Sequence, residues 1–288
     1  MFFAVESFTA LERAKARVNL AIDRSEDIGK AIKNVVGDVV VPHRAFMIYP
    51  CNEGRRLLDC LIKPVSKWAL GNVFRTLDSR GVEAAYKLYM DIEGSPQAAS
   101  FKGQLWENKV HRYFLSDRDL SFTIRCLEDE STMEWKLFKG RLTFDFGPAR
   151  RLPGHLHQCI EANKAGYFRP KSANFASFDA IIYQPEKPLV NIQITENHTH
   201  DISTCGPKLL QKLLHPTDIK LKPLCPVVKT PWTILFIVPK PMDATFTKQK
   251  FKPDADASAW RAKTKQYVLG LDRKDVLTLN YPQSLAVI

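Results

Sequence analysis

Two apolar stretches, residues 178–183 and 189–195, carry the polar groups placed for chemistry: Asp179 on the first, Gln193 and Thr195 on the second. Between them Gln184-Pro185-Glu186-Lys187-Pro188 is a turn sequence, so the pair reads as a hairpin. A turn centred on Glu186 sets Asp179 opposite Gln193. Gln193 and Thr195, two residues apart, share one face of the sheet. The neighbours Ile181, Ile182, Ile192 and Ile194 predict mostly buried strands. An acid and an amide at the open end of such a hairpin are costly unless they bind something. One carboxylate at a strand start, with polar groups on the next strand, can hold Mg²⁺ (or Mn²⁺) against a phosphate.

A second carboxylate would strengthen such a site, and Glu107 is the candidate. It lies in Gly103-Gln104-Leu105-Trp106-Glu107-Asn108-Lys109-Val110-His111, within a predicted amphipathic helix over residues 101–114. By themselves these residues have a plainer reading: Glu107 as a solvated helix residue, Asp179 as a turn or strand-edge residue. His198 and His200 follow Thr195 closely, as accessory groups for phosphate or water or as loop histidines.

In order and spacing, Gly103-x-x-x-Glu107, Ser177-Phe178-Asp179-Ala180-Ile181-Ile182 and Ile192-Gln193-Ile194-Thr195 followed by His200 form a pattern. Phe236-Ile237-Val238-Pro239, Phe246, Gln249-Lys250-Phe251 and Gln266-Tyr267-Val268-Leu269 continue it. The pattern resembles the C-terminal restriction-endonuclease-like PD-(D/E)XK nuclease domain of Crinkler-RHS effectors, and the likeness covers most of the chain after about residue 35. It implies metal-dependent cleavage of DNA phosphodiesters in the nucleus, that of a host cell included. Glu107, Asp179 and Gln193 would be metal ligands, and Thr195 would complete the catalytic set. The superfamily's usual third motif is acid-x-lysine. Gln193-x-Thr195 has one negative charge fewer and no cation there, so Lys208 or Lys212 from the following helix is the expected substitute. Such proteins also carry a nucleoside-triphosphatase module. No GxxxxGK[ST] occurs here, so that module would be a partner or lie elsewhere.

The elements that must position these residues read as follows. Residues 8–35 are helical by the spacing of Leu11, Ala14, Val18, Ala21 and Ile22. Short strands follow over 39–41 and 44–49. A helix is predicted over 55–77 with a kink at Pro64, and another over 81–90. The small polar segment 94–100 marks a boundary, giving a helical N-terminal region, 1–95, and a nuclease-like domain, 96–288. Strands are expected over 120–127, 132–138 and 141–146, with Lys139-Gly140 as a tight turn between the last two. Residues 154–175 mix a short helix with loop. A helix over 207–214, a buried strand over 232–238, a helix over 257–267 and a strand over 276–279 complete an α/β fold. Its expected core is a central mixed sheet flanked by helices.

The chain has 288 residues, 45% hydrophobic and 25% charged, which fits a folded globular protein rather than a disordered one. Its net charge of +11 favours a polyanionic partner. Residues 205–265 hold twelve Lys/Arg, four Asp and no Glu. Lys248, Lys250 and Lys252, interleaved with aromatic Phe246 and Phe251, form a candidate strand-binding surface beside Lys208 and Lys212. A solvated lysine face is the alternative. The six scattered cysteines form no CxxC pair and read as free thiols. No apolar run is long enough to span a bilayer, and the start lacks a basic leader, so a soluble, nuclear or cytoplasmic protein is expected. Asp145-Phe146-Gly147 lacks every other kinase element, and His155-x-His157-x-Cys159 and His198-x-His200 lack zinc-site spacing. The sequence therefore leaves three classes: a DNA endonuclease, a catalytically inactive nucleic-acid-binding or regulatory module on the same fold, and a protein-docking module.

Overall fold

The computed structural model describes residues 12–13, 15–17, 19–20, 22, 46–50, 60–64, 66–171, 177–214 and 217–279. The predicted strand over 39–41 lies outside them. The chain divides into two compact units: Met1–Lys109 with Arg273–Ile288, and Val110–Asp272. The division falls inside one continuous helix rather than at the small polar segment before it, and the C-terminal residues return to the first unit.

The first unit is not wholly helical. Strands β1 (Phe46–Pro50) and β2 (Cys60–Pro64) pair antiparallel. The helix predicted over 55–77 is therefore part strand. Residues leading into a proline favour extended backbone, and helix α1 (Lys67–Ser79) starts only after Pro64, with the Ser66 hydroxyl accepting the Ala69 amide. Helices α2 (Ala84–Asp91) and α3 (Ala99–Leu115) follow. Phe74 stacks on Phe101 and Tyr89 packs on Trp106, with Lys102 and Arg273 each over the Tyr89 ring. The final predicted strand is instead a short helix (Arg273–Leu277).

The second unit is an eight-stranded mixed sheet flanked by helices. Its strands are β3 (Leu120–Cys126), β4 (Thr132–Leu137), β5 (Leu142–Phe146), β6 (Gly166–Pro170), β7 (Ala180–Tyr183), β8 (Val190–Ile194), β9 (Trp232–Pro239) and β10 (Thr264–Leu271), in the order β4-β3-β10-β9-β8-β7-β6-β5. Strands β8, β9 and β10 run parallel. Helix α4 (Leu152–Ala162) connects β5 to β6, and helix α5 (Cys205–Leu213) lies in the crossover from β8 to β9.

Three expectations are corrected here. Lys139-Gly140 is no hairpin turn, because β4 and β5 occupy opposite edges of the sheet. Residues 166–170 form a strand, and 264–271 form a strand rather than the end of a helix. β10 is drawn into the sheet by pairing along its whole length with β9.

Joining opposite edges through residues 138–141 forces the sheet to curl. Eight flat strands span roughly 34 Å at about 4.8 Å apiece, whereas the five steps from Leu137 to Leu142 reach at most about 18 Å. Two contacts hold the curl. The Gln184 amide, just past β7, donates to the Lys136 carbonyl of β4 at 2.8 Å. Phe114, near the end of α3, lies about as far from Phe122 (5.8 Å) as from Trp135 and Tyr167 (6.1 Å each), so one ring fills the hollow between β3, β4 and β6. Residues 110–115 thus cover the inner face. The outer face, with Phe168, Ile181, Ile234, Phe236 and Val268, packs under Leu152, Leu156 and Leu210 of α4 and α5.

At Gly166 the Cys159 side chain of α4 and the Phe168 ring leave no room for a side chain. A Cβ there would stand 2.5 Å from Cys159 Sγ and 2.6 Å from a Phe168 ring carbon, both fully buried. Gly166→Ala is expected to lower stability by about 1–3 kcal/mol in urea denaturation, through overpacking that neither neighbour can relieve by moving into solvent. A midpoint equal to the parent's would show that the helix slides freely on β6.

Candidate functional site

The hairpin of β7 and β8 forms because every residue of both strands is buried: β7 is apolar on both faces and β8 on one, with Asn191 and Gln193 on its other face. Its turn is closed by the Lys187 amide donating to the Gln184 carbonyl at 3.2 Å, with Glu186 in the left-handed region at φ 62°. The ladder pairs Ala180 with Ile192 and Ile182 with Val190, so one further step places Asp179 opposite Gln193.

Asp179 ends the strand rather than extending it. Its backbone N–H donates to the Ile192 carbonyl at 2.8 Å. Its Oδ2 accepts the Ile194 amide at 2.6 Å and Gln193 Nε2 at 3.3 Å. The carboxylate thus takes the place of the next backbone acceptor in the ladder and is fixed there. Thr195 continues β8 by donating its N–H to the Ile237 carbonyl, and its Oγ1 accepts the Asn197 amide at 3.0 Å. The structure brings Asp179, Gln193 and Thr195 together, with Gln193 and Thr195 each 6% exposed.

Register also fixes the face. Gln193 pairs with Phe236, an outer-face core residue, so Gln193 and Thr195 point to the side covered by α5. Residues 110–115 of α3 lie on the other side of the sheet, against Tyr167, Phe122 and Trp135. Glu107, half-buried, stands on the part of α3 that belongs to the first unit.

Lys208, on the first turns of α5, is held by Asp256 at 2.5 Å and Asp254 at 3.2 Å. These hydrogen bonds raise its pKa, and Asp254 is in turn lowered, first by the Thr204 hydroxyl and then by burial-opposed contacts that include Lys208. Lys212 is exposed one turn further on. The sequence did not single out Asp254-x-Asp256, although two acids spaced this way after a lysine run were the signal.

His198 and His200 lie on a loop tied down by the buried side chain of Gln249. Gln249 Nε2 donates to the His198 carbonyl at 3.0 Å and its Oε1 accepts the His200 amide. Gln266 completes the tie by an exchange of hydrogen bonds with the Gln249 backbone, at 2.8 and 2.9 Å. Phe246 and Phe251 are 1% and 2% exposed. They are core residues, which corrects the expectation that they interleave with Lys248, Lys250 and Lys252 on a binding surface.

Burial is the largest cause lowering the pKa of both His200 and His155. With folded values below the ordinary one, near about 6.5, the unfolded chain binds more protons in this window. Stability is then fully present above that pH and is lost as pH falls through the folded values. The urea midpoint is expected to drop between pH 7.5 and 5.5, and His200→Gln is expected to shrink that drop.

As a metal site the set fits in part. Asp179 supplies one carboxylate, and Gln193 and Thr195 supply neutral oxygens. Among the described residues no group of three or more His, Cys, Asp or Glu is placed to hold an ion. This is not a closed cage, yet it fits an ion such as Mg²⁺ that keeps several waters and takes one or two carboxylates with substrate phosphates. Cys126, Cys159, Cys205 and Cys225 are free thiols. Among the described residues no helix is long and apolar enough to cross a membrane. No known protein family, curated protein or solved structure matches the chain.

Proposed function

We propose that this chain is a metal-dependent DNA endonuclease, effector-like in the sense of the Crinkler-RHS proteins it resembles, built on a restriction-endonuclease-like variant of the mixed sheet. The observation that carries the reading is the fixed pairing of Asp179 with Gln193 at the open end of a buried hairpin. Asp179 and Gln193 would hold Mg²⁺ or Mn²⁺, with Glu107 as the further carboxylate of the resemblance. When bound, the ion supplies Lewis acidity and a water of lowered pKa. The Ile194 amide holds the Asp179 carboxylate in one orientation, so little reordering accompanies substrate binding. Thr195 presents a hydroxyl on the same face, and Lys212 is an exposed cation of α5 for the phosphate. The action proposed is nuclear, beside a nucleoside-triphosphatase partner.

A second reading, a DNA-binding or regulatory module without cleavage, is favoured by two specific contacts. Asp179 Oδ2 already accepts two hydrogen bonds, and Lys208 is committed to Asp254 and Asp256. Supercoiled plasmid incubated with Mg²⁺ or Mn²⁺ separates the two. Nicking by the parent chain supports the nuclease, whereas a band shift without nicking under either metal supports the binding module.

A further inference from the structure

Residues 248–252 alternate in burial. Lys248, Lys250 and Lys252 are exposed, whereas Gln249 and Phe251 between them are 6% and 2% exposed. The backbone is held extended: Ile202 N–H donates to the Lys250 carbonyl and Lys252 N–H to the Ile202 carbonyl, a parallel bridge between Ile202 and Phe251. Gln249 fixes the preceding part through its hydrogen bonds to Thr247, His198, His200 and Gln266. The result is a rigid row of three ammonium groups on one side of an extended segment. Their Cα atoms are spaced about 6.6 Å apart, two residues at about 3.3 Å each. That spacing is comparable to the separation of neighbouring phosphates along one nucleic-acid strand.

We propose that Lys248, Lys250 and Lys252 grip successive phosphates of one strand of duplex DNA, reading backbone and not bases. The inference rests on the nucleic-acid reading above and adds the form of the substrate. Several other lysines of the basic segment are spent on acids: Lys208 on Asp254 and Asp256, Lys220 on Glu161, Lys240 on Asp243 and Lys265 on Asp129. In the row, only Lys248 has an acidic partner among the described residues, Glu128 at 3.1 Å, and it remains 48% exposed to exchange that contact for a phosphate. Surfaces for single strands add aromatic rings on which bases stack. Here both rings of the segment, Phe246 and Phe251, are turned into the core. A fixed row without a stacking platform suits the regular backbone of a duplex better than a flexible single strand.

The test is fluorescence polarisation in EDTA, which keeps cleavage out, with a labelled duplex and its separated strand over a salt series. The variants are Lys248→Gln/Lys250→Gln/Lys252→Gln and a control of equal charge change, Lys220→Gln/Lys222→Gln/Lys229→Gln. The parent is expected to bind the duplex more tightly than the single strand. The row variant is expected to lose about 2–3 units of the slope of log K against log salt, at roughly 0.9 per phosphate contact, equally on unrelated sequences. The control is expected to keep the parent slope, and both variants the parent melting temperature. An unchanged slope in the row variant, an equal loss in the control, or tighter binding of the single strand overturns the proposal. A parent that binds with the expected slope but never nicks plasmid leaves the row standing and removes the nuclease reading alone.

Discussion

Asp179→Asn should abolish plasmid nicking, a loss of at least about 100-fold, of the size seen when one charge-stabilising group is removed from an active site. The substitution separates chemistry from structure. Asn keeps an oxygen to accept the Ile194 amide, now 2.6 Å from Oδ2, but removes the negative charge that a metal ion requires. Its urea midpoint is expected to stay within about 1 kcal/mol of the parent's. Asp179→Ala should lose cleavage equally and in addition cost about 1–3 kcal/mol, because the buried Ile194 N–H is then left without a partner. Nicking by Asp179→Asn at the parent rate would defeat the nuclease reading and leave Asp179 as a strand-end cap. Glu107→Gln, measured alongside, decides the second carboxylate. An equal loss places Glu107 in the chemistry, and a parent-like rate removes it.

The largest expected effect on stability is at Arg141. The residue is 9% exposed, and its guanidinium donates from Nε to the Phe114 carbonyl at 2.9 Å, and from Nη1 to the Phe138 carbonyl at 2.7 Å and the Arg118 carbonyl at 3.1 Å. Nη2 donates to the Ser116 carbonyl. One side chain therefore caps the C-terminal end of α3 and pins the short link that carries the chain between the two sheet edges. Arg141→Ala would leave the buried Phe114 carbonyl and three part-buried carbonyls without this donor, so a total loss of about 3–5 kcal/mol is expected from urea denaturation. Arg141→Lys should recover only part of it, since a single ammonium cannot reach a set of acceptors matched to a planar fork. A loss under about 1 kcal/mol in Arg141→Ala would show that water replaces the guanidinium and that the curl does not depend on it.

Features set by residues close in sequence were legible. Pro185 and Pro188 around Glu186, with isoleucines on either side, determined the hairpin and its register, and with it the meeting of Asp179 and Gln193. The amphipathic spacing around Trp106 and Val110 determined α3, and the unbroken apolar run from Trp232 determined β9. Residues 264–271 and 166–170 were not legible as strands. Thr264-Lys265-Gln266-Tyr267 has no strong period of its own, and β10 exists because β9 offers it a full row of backbone partners. Phe246 and Phe251 illustrate the same limit: beside lysines in sequence they resemble a binding surface, and only the Ile202 bridge at Phe251 and the packing of Phe246 on Phe236 turn them inward.

By itself, then, the sequence determined which polar residues face one another across the hairpin, because turn chemistry and a period of two are local. The tertiary structure decided the rest. It placed β4 and β5 at opposite edges of a curled sheet, turned Gln193 toward the α5 face, and committed Lys208 to Asp254 and Asp256. These outcomes depend on pairings between residues far apart in the chain. Such contacts are selected by the backbone partners and buried volume that the rest of the fold provides, and no local pattern encodes them.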